Sequence, residues 1–459
     1  MTPRAIAGRS LAKWARLTCL LPALYLLSIV AFALMHFDDY ASDLPRLIRY
    51  VLVPGALGLA IAAAGWALRR EAALTVGLGA LSVLAALFLL EAIATISAVR
   101  GALGLVGGGA VPPRDLERYE RALPPSYTLK ALNDALGTTS LEEAQLGGMP
   151  EAEVLLCSNE DGPVSYVADR YGFNNDDAVY DRPVNVMVLG DSFAEGICLD
   201  RDESLVGQLS QRLDGTVGFG SRGTGPLFQL AVLGRYGPAL RPRTVVMAFF
   251  AGNDWENLTR SEGVDWLQDT LRDDARFGTP DAAAPMEPLA ENIISSWWEE
   301  GGRGMREVFR RQAILRNFAA LQQTSLRLGL HYPKAAGAQP IYGRALAKAR
   351  EIAETWGGDV LLVYIPPVDR YVGLLESRFA HDGLRELVAE STRRAGVPML
   401  DLSGKFDDEP DPQRLYAADA HFSAAGAALA ATLIAEAVGD VPAEQQSASV
   451  SQLREGRLP

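Results

Sequence analysis

Histidine and cysteine are scarce in this chain. Its 459 residues include four histidines, His36, His331, His381 and His421, and three cysteines, Cys19, Cys157 and Cys198. No group of them has metal-ligand spacing, so neither a bound metal nor a cofactor is expected. Basic residues are also outnumbered, with 43 Lys and Arg against 56 Asp and Glu, for a formal net charge of −13. No basic stripe with interleaved aromatics occurs, which disfavours a nucleic-acid partner.

Apolar residues, by contrast, make up 49% of the chain and crowd into its first hundred positions. Leu17–Met35, Tyr50–Leu68 and Ala72–Leu90 run without a charge, each long enough to cross a bilayer. Arg4, Arg9, Lys13 and Arg16 precede the first run, and Arg69 and Arg70 fill the turn between the second and third. The first loop holds Asp38, Asp39 and Asp43 against Arg46 and Arg49. By the positive-inside rule the amino terminus faces the cytoplasm, and everything after about residue 98 lies outside it. Ala31-Phe32-Ala33 has the form of a signal-peptide cleavage site, but the apolar run is long for one, and cutting there would leave the later domain on the same side. Glu91 stands at the end of the third run and reads as an interfacial residue rather than a proton relay.

Four regions follow. Residues 1–98 form a membrane domain with three transmembrane helices. Residues 99–183 are a connector and lead-in, broken by Gly107–Gly109, Pro112-Pro113 and Pro124-Pro125. Residues 184–438 form a soluble domain with a helical insertion at about 255–340, which carries Trp297-Trp298 and a basic stretch from Arg303 to Arg327. A polar tail occupies 439–459. Within the soluble domain, strands are expected at Val184–Leu189, around Val217–Phe219, and at Thr244–Phe250, Val360–Ile365 and Val397–Leu402. Helices are expected at Glu203–Leu213, Ile341–Trp356, Leu384–Ala395 and Phe422–Val438. This alternation argues a three-layer α/β/α sandwich around a parallel sheet.

Chemistry-bearing residues stand at the ends of these strands. Gly190-Asp191-Ser192 follows the first, the glycine-rich run Gly220 to Pro226 follows the second, and Gly252-Asn253-Asp254 follows the third. In open α/β sheets that edge is where ligands bind. A serine hydroxyl is a poor nucleophile until a base takes its proton. Of the histidines outside the membrane part, only His421 lies beside a carboxylate, Asp419, in a loop before a helix. Asp419 would hold the imidazole tautomer for His421 to activate Ser192. The backbone N–H groups of Ser192 and Gly223 and the side-chain amide of Asn253 would form the oxyanion hole. Gly220 and Gly225 compete with Gly223 for that place, and Asp254 is expected to brace its loop. If the soluble domain is exported, Cys157 and Cys198 are compatible with a disulfide, and equally with two free thiols.

Gly-Asp-Ser, then glycine, then Gly-x-Asn-Asp, then a late Asp-x-His resembles the SGNH (GDSL-type) hydrolase superfamily, over roughly residues 184–438. The resemblance implies an SGNH/flavodoxin-like fold. It assigns Ser192 as nucleophile, Gly223 and Asn253 as oxyanion donors and His421 as base. The common pattern has Asp three residues before the His, but that position is Ala418 here, leaving Asp419 two residues away. The expected function is that of a multi-pass bacterial inner-membrane serine esterase. Its periplasmic domain would remove O-acyl groups from an envelope glycan or a lipid ester. Two alternatives remain open: an O-acyltransferase working with envelope-polysaccharide machinery, and a non-catalytic glycan-binding or assembly protein. The lipid bilayer and an O-acylated glycan or lipid are the partners expected.

Overall fold

The computed structural model describes residues 3–102, 122–124, 127–159, 162–280, 292 and 314–439. The Gly107–Gly109 run, Pro112-Pro113, Trp297-Trp298, Arg303 and the polar tail from 440 lie outside the described residues. Two compact units emerge.

The first unit comprises Met1–Arg100, Met305–Gly337 and Asp369–Leu384. Its main helices are Pro3–Met35, Val53–Ala67 and Arg70–Ala102, and the second is led in by Leu44–Leu47 and a π-helical turn at Ile48–Leu52. They supply three stretches long and apolar enough to cross a membrane: Lys13–Met35, Leu44–Ala67 and Arg70–Ile96. Each extends its uncharged run at one or both ends, because backbone hydrogen bonding continues into the flanking polar residues. Part of the insertion expected at 255–340 therefore clusters with the apolar helices, as the short helices Ile314–Ala319 and Gln322–Leu328.

The second unit holds the sheet. A hairpin of β1 (Glu153–Asn159) and β2 (Gly162–Val167) precedes it. Then follow β3 (Val186–Gly190), β4 (Thr216–Gly220), β5 (Thr244–Phe250), β6 (Asp359–Ile365) and β7 (Met399–Asp401). These five run parallel in the order β4-β3-β5-β6-β7. Their near-continuous apolar sequences follow from burial on both faces: β3 and β4 are buried at every position. Helices Pro226–Leu240 and Pro340–Glu354 pack together over β3 and β6, and Leu205–Ser210 packs on Ala424–Gly439 and β4. The fold is thus α/β, with helices flanking a parallel sheet.

Strand order places the switch point at β3. From β3 the chain crosses to β4 on one side and then returns to β5 on the other. The connections leaving a switch point diverge and open a crevice at the strands' carboxyl ends.

Candidate active site

Ser192 stands at that crevice. β3 ends at Gly190, where a Cβ would come within 2.8 Å of the Ala194 Cβ, so the turn closes only over glycine. Asp191 then caps the short helix Ser192–Glu195, its Oδ1 accepting from the Phe193 N–H at 3.0 Å. The cap leaves Ser192 at the first helical position, where its backbone N–H has no intrahelical acceptor.

The imidazole comes from the far end of the chain. Nε2 of His421 lies 2.8 Å from Ser192 Oγ, and Nδ1 lies 3.1 Å from Asp419 Oδ2. The loop explains how an acid two residues away reaches its histidine. Ala420 adopts a left-handed conformation, φ 70°, and the Ala417 N–H donates to the His421 carbonyl at 2.8 Å. The chain doubles back and lays the Asp419 carboxylate along the ring. Some burial pushes the Asp419 carboxyl up, but the hydrogen bond and charge of His421 together hold it below its ordinary value. Both side chains keep contact with solvent, at 26% exposure for His421 and 38% for Asp419.

The other expected donors flank the serine. After β4, the Ser221 N–H and Thr224 Oγ1 both donate to the Gly190 carbonyl, at 3.3 Å each, which ties this loop to the end of β3. The three glycines of the run have separate roles. A Cβ at Gly220 would strike the Glu195 backbone nitrogen at 2.3 Å, and one at Gly225 the Asn257 Cβ at 2.7 Å. Gly223 alone takes a left-handed φ, 76°, with nothing nearer its Cβ position than Thr128 Cγ2 at 3.7 Å. It lines a cavity of about 90 Å³ with Phe228, Trp266 and Leu267. After β5, the Asn253 amide donates one N–H to Asp191 Oδ2 at 3.0 Å. Asp254 is fully buried, and its Oδ2 accepts from the Phe250 N–H at 3.0 Å, which braces the loop. Burial, then the Asp191 charge, push the Asp254 carboxyl well above its ordinary value.

Several residues that hold the site were not singled out by sequence reasoning. Phe193 lies beside His421, its ring tilted by 44° with 5.2 Å between centroids, and meets Phe422 edge-on at 4.8 Å. Glu195 and Arg222 form a buried ion pair beneath the serine: both the Arg222 backbone N–H, at 2.7 Å, and its guanidinium donate to the Glu195 carboxylate. Tyr166 adds a third donor, at 3.2 Å. The available signal was two charges set inside otherwise apolar or glycine-rich stretches. Asp191, a member of the Gly-Asp-Ser motif, also orients the Asn253 amide. Cys157 of β1 and Cys198 are joined in a disulfide, with Cα atoms 5.4 Å apart.

A family model described as GDSL-like lipase/acylhydrolase matches residues 188–429, more than half of the chain. Among solved structures, a lipase/acylhydrolase from Enterococcus faecalis is 14% identical; the match covers 56% of this chain and 95% of that one, with a TM-score of 0.30. An alpha/beta hydrolase enzyme from the metagenome of Lake Arreo, Spain, is also 14% identical, over 56% of this chain and 96% of its own, with a TM-score of 0.32. No curated protein matches the sequence.

Proposed function

The chain belongs to the GDSL-like lipase/acylhydrolase family, and from that premise we propose that it is a membrane-anchored esterase that removes O-acyl groups from an envelope glycan or lipid ester outside the cytoplasm. In this reading residues 1–98 anchor the enzyme in a bacterial inner membrane, residues 99–183 connect, and residues 184–438 carry the chemistry.

The observation that carries it is the unbroken relay Asp419–His421–Ser192, at 3.1 and 2.8 Å. His421 Nε2 takes the Ser192 proton as Oγ attacks the ester carbonyl. Asp419 stabilises the imidazolium. Ser192 and Gly223 backbone N–H groups and the free N–H of the Asn253 amide receive the oxyanion. The imidazolium then protonates the leaving alcohol, and water, deprotonated by the same imidazole, releases the acyl group.

Two features support placement outside the cytoplasm. Basic residues flank the Lys13 and Arg70 ends of the apolar helices. The Cys157–Cys198 disulfide belongs in an oxidising compartment. The cavity beside Gly223, well below the several hundred Å³ of a drug-sized pocket, favours a short acyl group. The test is Ser192→Ala in the full-length protein. Hydrolysis of p-nitrophenyl acetate should fall by about 10³ or more, and labelling by a fluorophosphonate probe should vanish. Full activity in the variant would exclude the serine mechanism.

A further inference from the structure

The reading of the three apolar helices as membrane spans has a consequence for the chain segments that cluster with them. At 1.5 Å per residue, Tyr25 lies about 18 Å along the helix from Lys13 and about 15 Å before Met35, near the middle of the first span. Its hydroxyl donates to the Ala319 carbonyl at 3.0 Å. Phe88, roughly 12 Å before the Ile96 end of the third span, packs on Phe318 at 5.5 Å and on Tyr25 at 5.5 Å. Glu91, one turn further along, is fully buried, and its carboxylate accepts from the backbone N–H groups of Gln323 and Thr324 at 3.1 and 2.7 Å. The turn between Ile314–Ala319 and Gln322–Leu328 thus lies well below the ends of the spans.

From there the chain climbs. Tyr332 meets the Tyr50 hydroxyl, and Lys334 pairs with Asp39, both at the Met35–Leu44 side of the spans. The segment 374–379 runs alongside: the N–H groups of Leu374 and Leu375 donate to the carbonyls of Arg327 and Leu328. On this surface large apolar side chains point outward, with Leu315 83%, Leu374 83%, Leu375 56% and Phe379 47% exposed.

We infer that residues 314–328, bordered by the side chains of Leu374, Leu375 and Phe379, are immersed in the half of the bilayer on the Met35 and Ile96 side, with lipid acyl chains as the occupant of this exposed apolar face, while Glu376 and Arg378, 3.9 Å apart, hold their charges at its headgroup edge. Hydrogen bonding favours lipid over water. Irregular backbone at membrane depth survives only where protein groups satisfy it. Here the carbonyl and N–H groups freed by the turn are met by a tyrosine and a carboxylate from the spans themselves. Beside water, solvent would do that work, and burying Glu91 for it would bring no gain. Apolar exposure on this scale also marks membrane or protein contact rather than free surface. Arg316, on the short inserted helix, has a stem long enough to carry its charge toward the headgroups.

Depth measurement tests this, independently of the esterase reading. In a Cys19→Ala background with the disulfide intact, single spin labels are placed at Leu315→Cys and Leu375→Cys. Reference labels go at Leu24→Cys, on the exposed face of the first span, and at Glu256→Cys, on the second unit. The full chain is held in phosphatidylcholine–phosphatidylglycerol nanodiscs and probed with oxygen and a water-soluble nickel chelate. The oxygen-to-nickel accessibility ratio at Leu315 is expected to match Leu24 and to exceed Glu256 several-fold, with Leu375 between them. A nickel-accessible label at Leu315 would overturn the inference in favour of water. A label closed to both reagents would overturn it in favour of a second copy covering the face. Nickel access at Leu24 as well would bring down the span reading and this inference together.

Discussion

Asp419 supports His421 through a backbone conformation that a non-glycine residue adopts at a cost. Ala420 sits at φ 70°, a region worth roughly 1–2 kcal/mol of strain for an alanine. The loop hydrogen bonds, including Ala417 N–H to His421 carbonyl, hold it there. The reward is the 3.1 Å contact between Asp419 Oδ2 and Nδ1. The carboxyl's folded value is lowered, so the interaction is fully present above the ordinary aspartate range and is lost as pH falls through the lowered value. Asp419→Asn should leave the fold and KM nearly unchanged. It should lower kcat by about 10²–10⁴, because the amide fixes the wrong tautomer. A variant with wild-type kcat would remove Asp419 from the relay.

Between elements, the ion pair of Glu195 and Arg222 joins the short helix that begins at Ser192 to the loop that carries Gly223. The pair is buried and bonded through both the Arg222 backbone and its guanidinium, so it anchors the residue that precedes Gly223. Breaking one partner of such a pair costs about 3–5 kcal/mol, since the other charge is stranded. Arg222→Met alone therefore risks the fold. Combined with Glu195→Gln, it removes both charges and should recover most of the stability. The double variant should still lose about 10²–10³ in kcat, the worth of one oxyanion donor, with a smaller change in KM. Wild-type kcat in a folded double variant would show that the loop holds its course without the pair. No local pattern announces a contact between residues 27 positions apart, and for that reason the pair was not legible in the sequence. Strands were legible where burial on both faces leaves a continuous apolar run: Thr244–Phe250 is read to the residue, and β3 begins only two residues later than its run. β4 was weak because its five residues include two glycines. The last helix begins at Ala424 rather than Phe422, because Phe422 bridges to Tyr416 and Ser423 Oγ caps the Gly426 N–H. Ser192 and His421 were readable because their neighbours form motifs. Helices of six and seven residues at 314–328 are too short to show a period, so their company with the apolar helices was hidden.

At the scale of the whole molecule, two buried groups, one in each unit, respond to pH with opposite sign. In the first, burial drives His381 down to about 3, helped by the charges of Arg370, His331 and Arg46 and opposed by Asp382. Its Nε2 has no partner among the described residues. The unfolded chain binds the proton more tightly, so the stability from burying neutral His381 is complete above about pH 6.5 and drains away as pH falls toward 3. In the second unit Asp254 behaves in reverse. Its folded value is raised by burial and by Asp191, against the bonds from Phe250 and Gln229. The native state holds the proton more tightly, so stability is greatest below the ordinary aspartate value and declines as pH rises toward the folded one. Each group contributes a slope of up to about 1.4 kcal/mol per pH unit within its window. Hydrogen exchange by peptide, corrected for intrinsic rates, separates the units. Lowering pH from about 7 to about 5 should loosen peptides across 369–384 and should not loosen those across 244–261, where Asp254 is more stably held the lower the pH. His381→Gln should flatten the first response and Asp254→Asn the second, each leaving the other unit's response intact. If His381→Gln leaves the acid response of 369–384 unchanged, that histidine is not its source, and the sign argued from its burial falls with it.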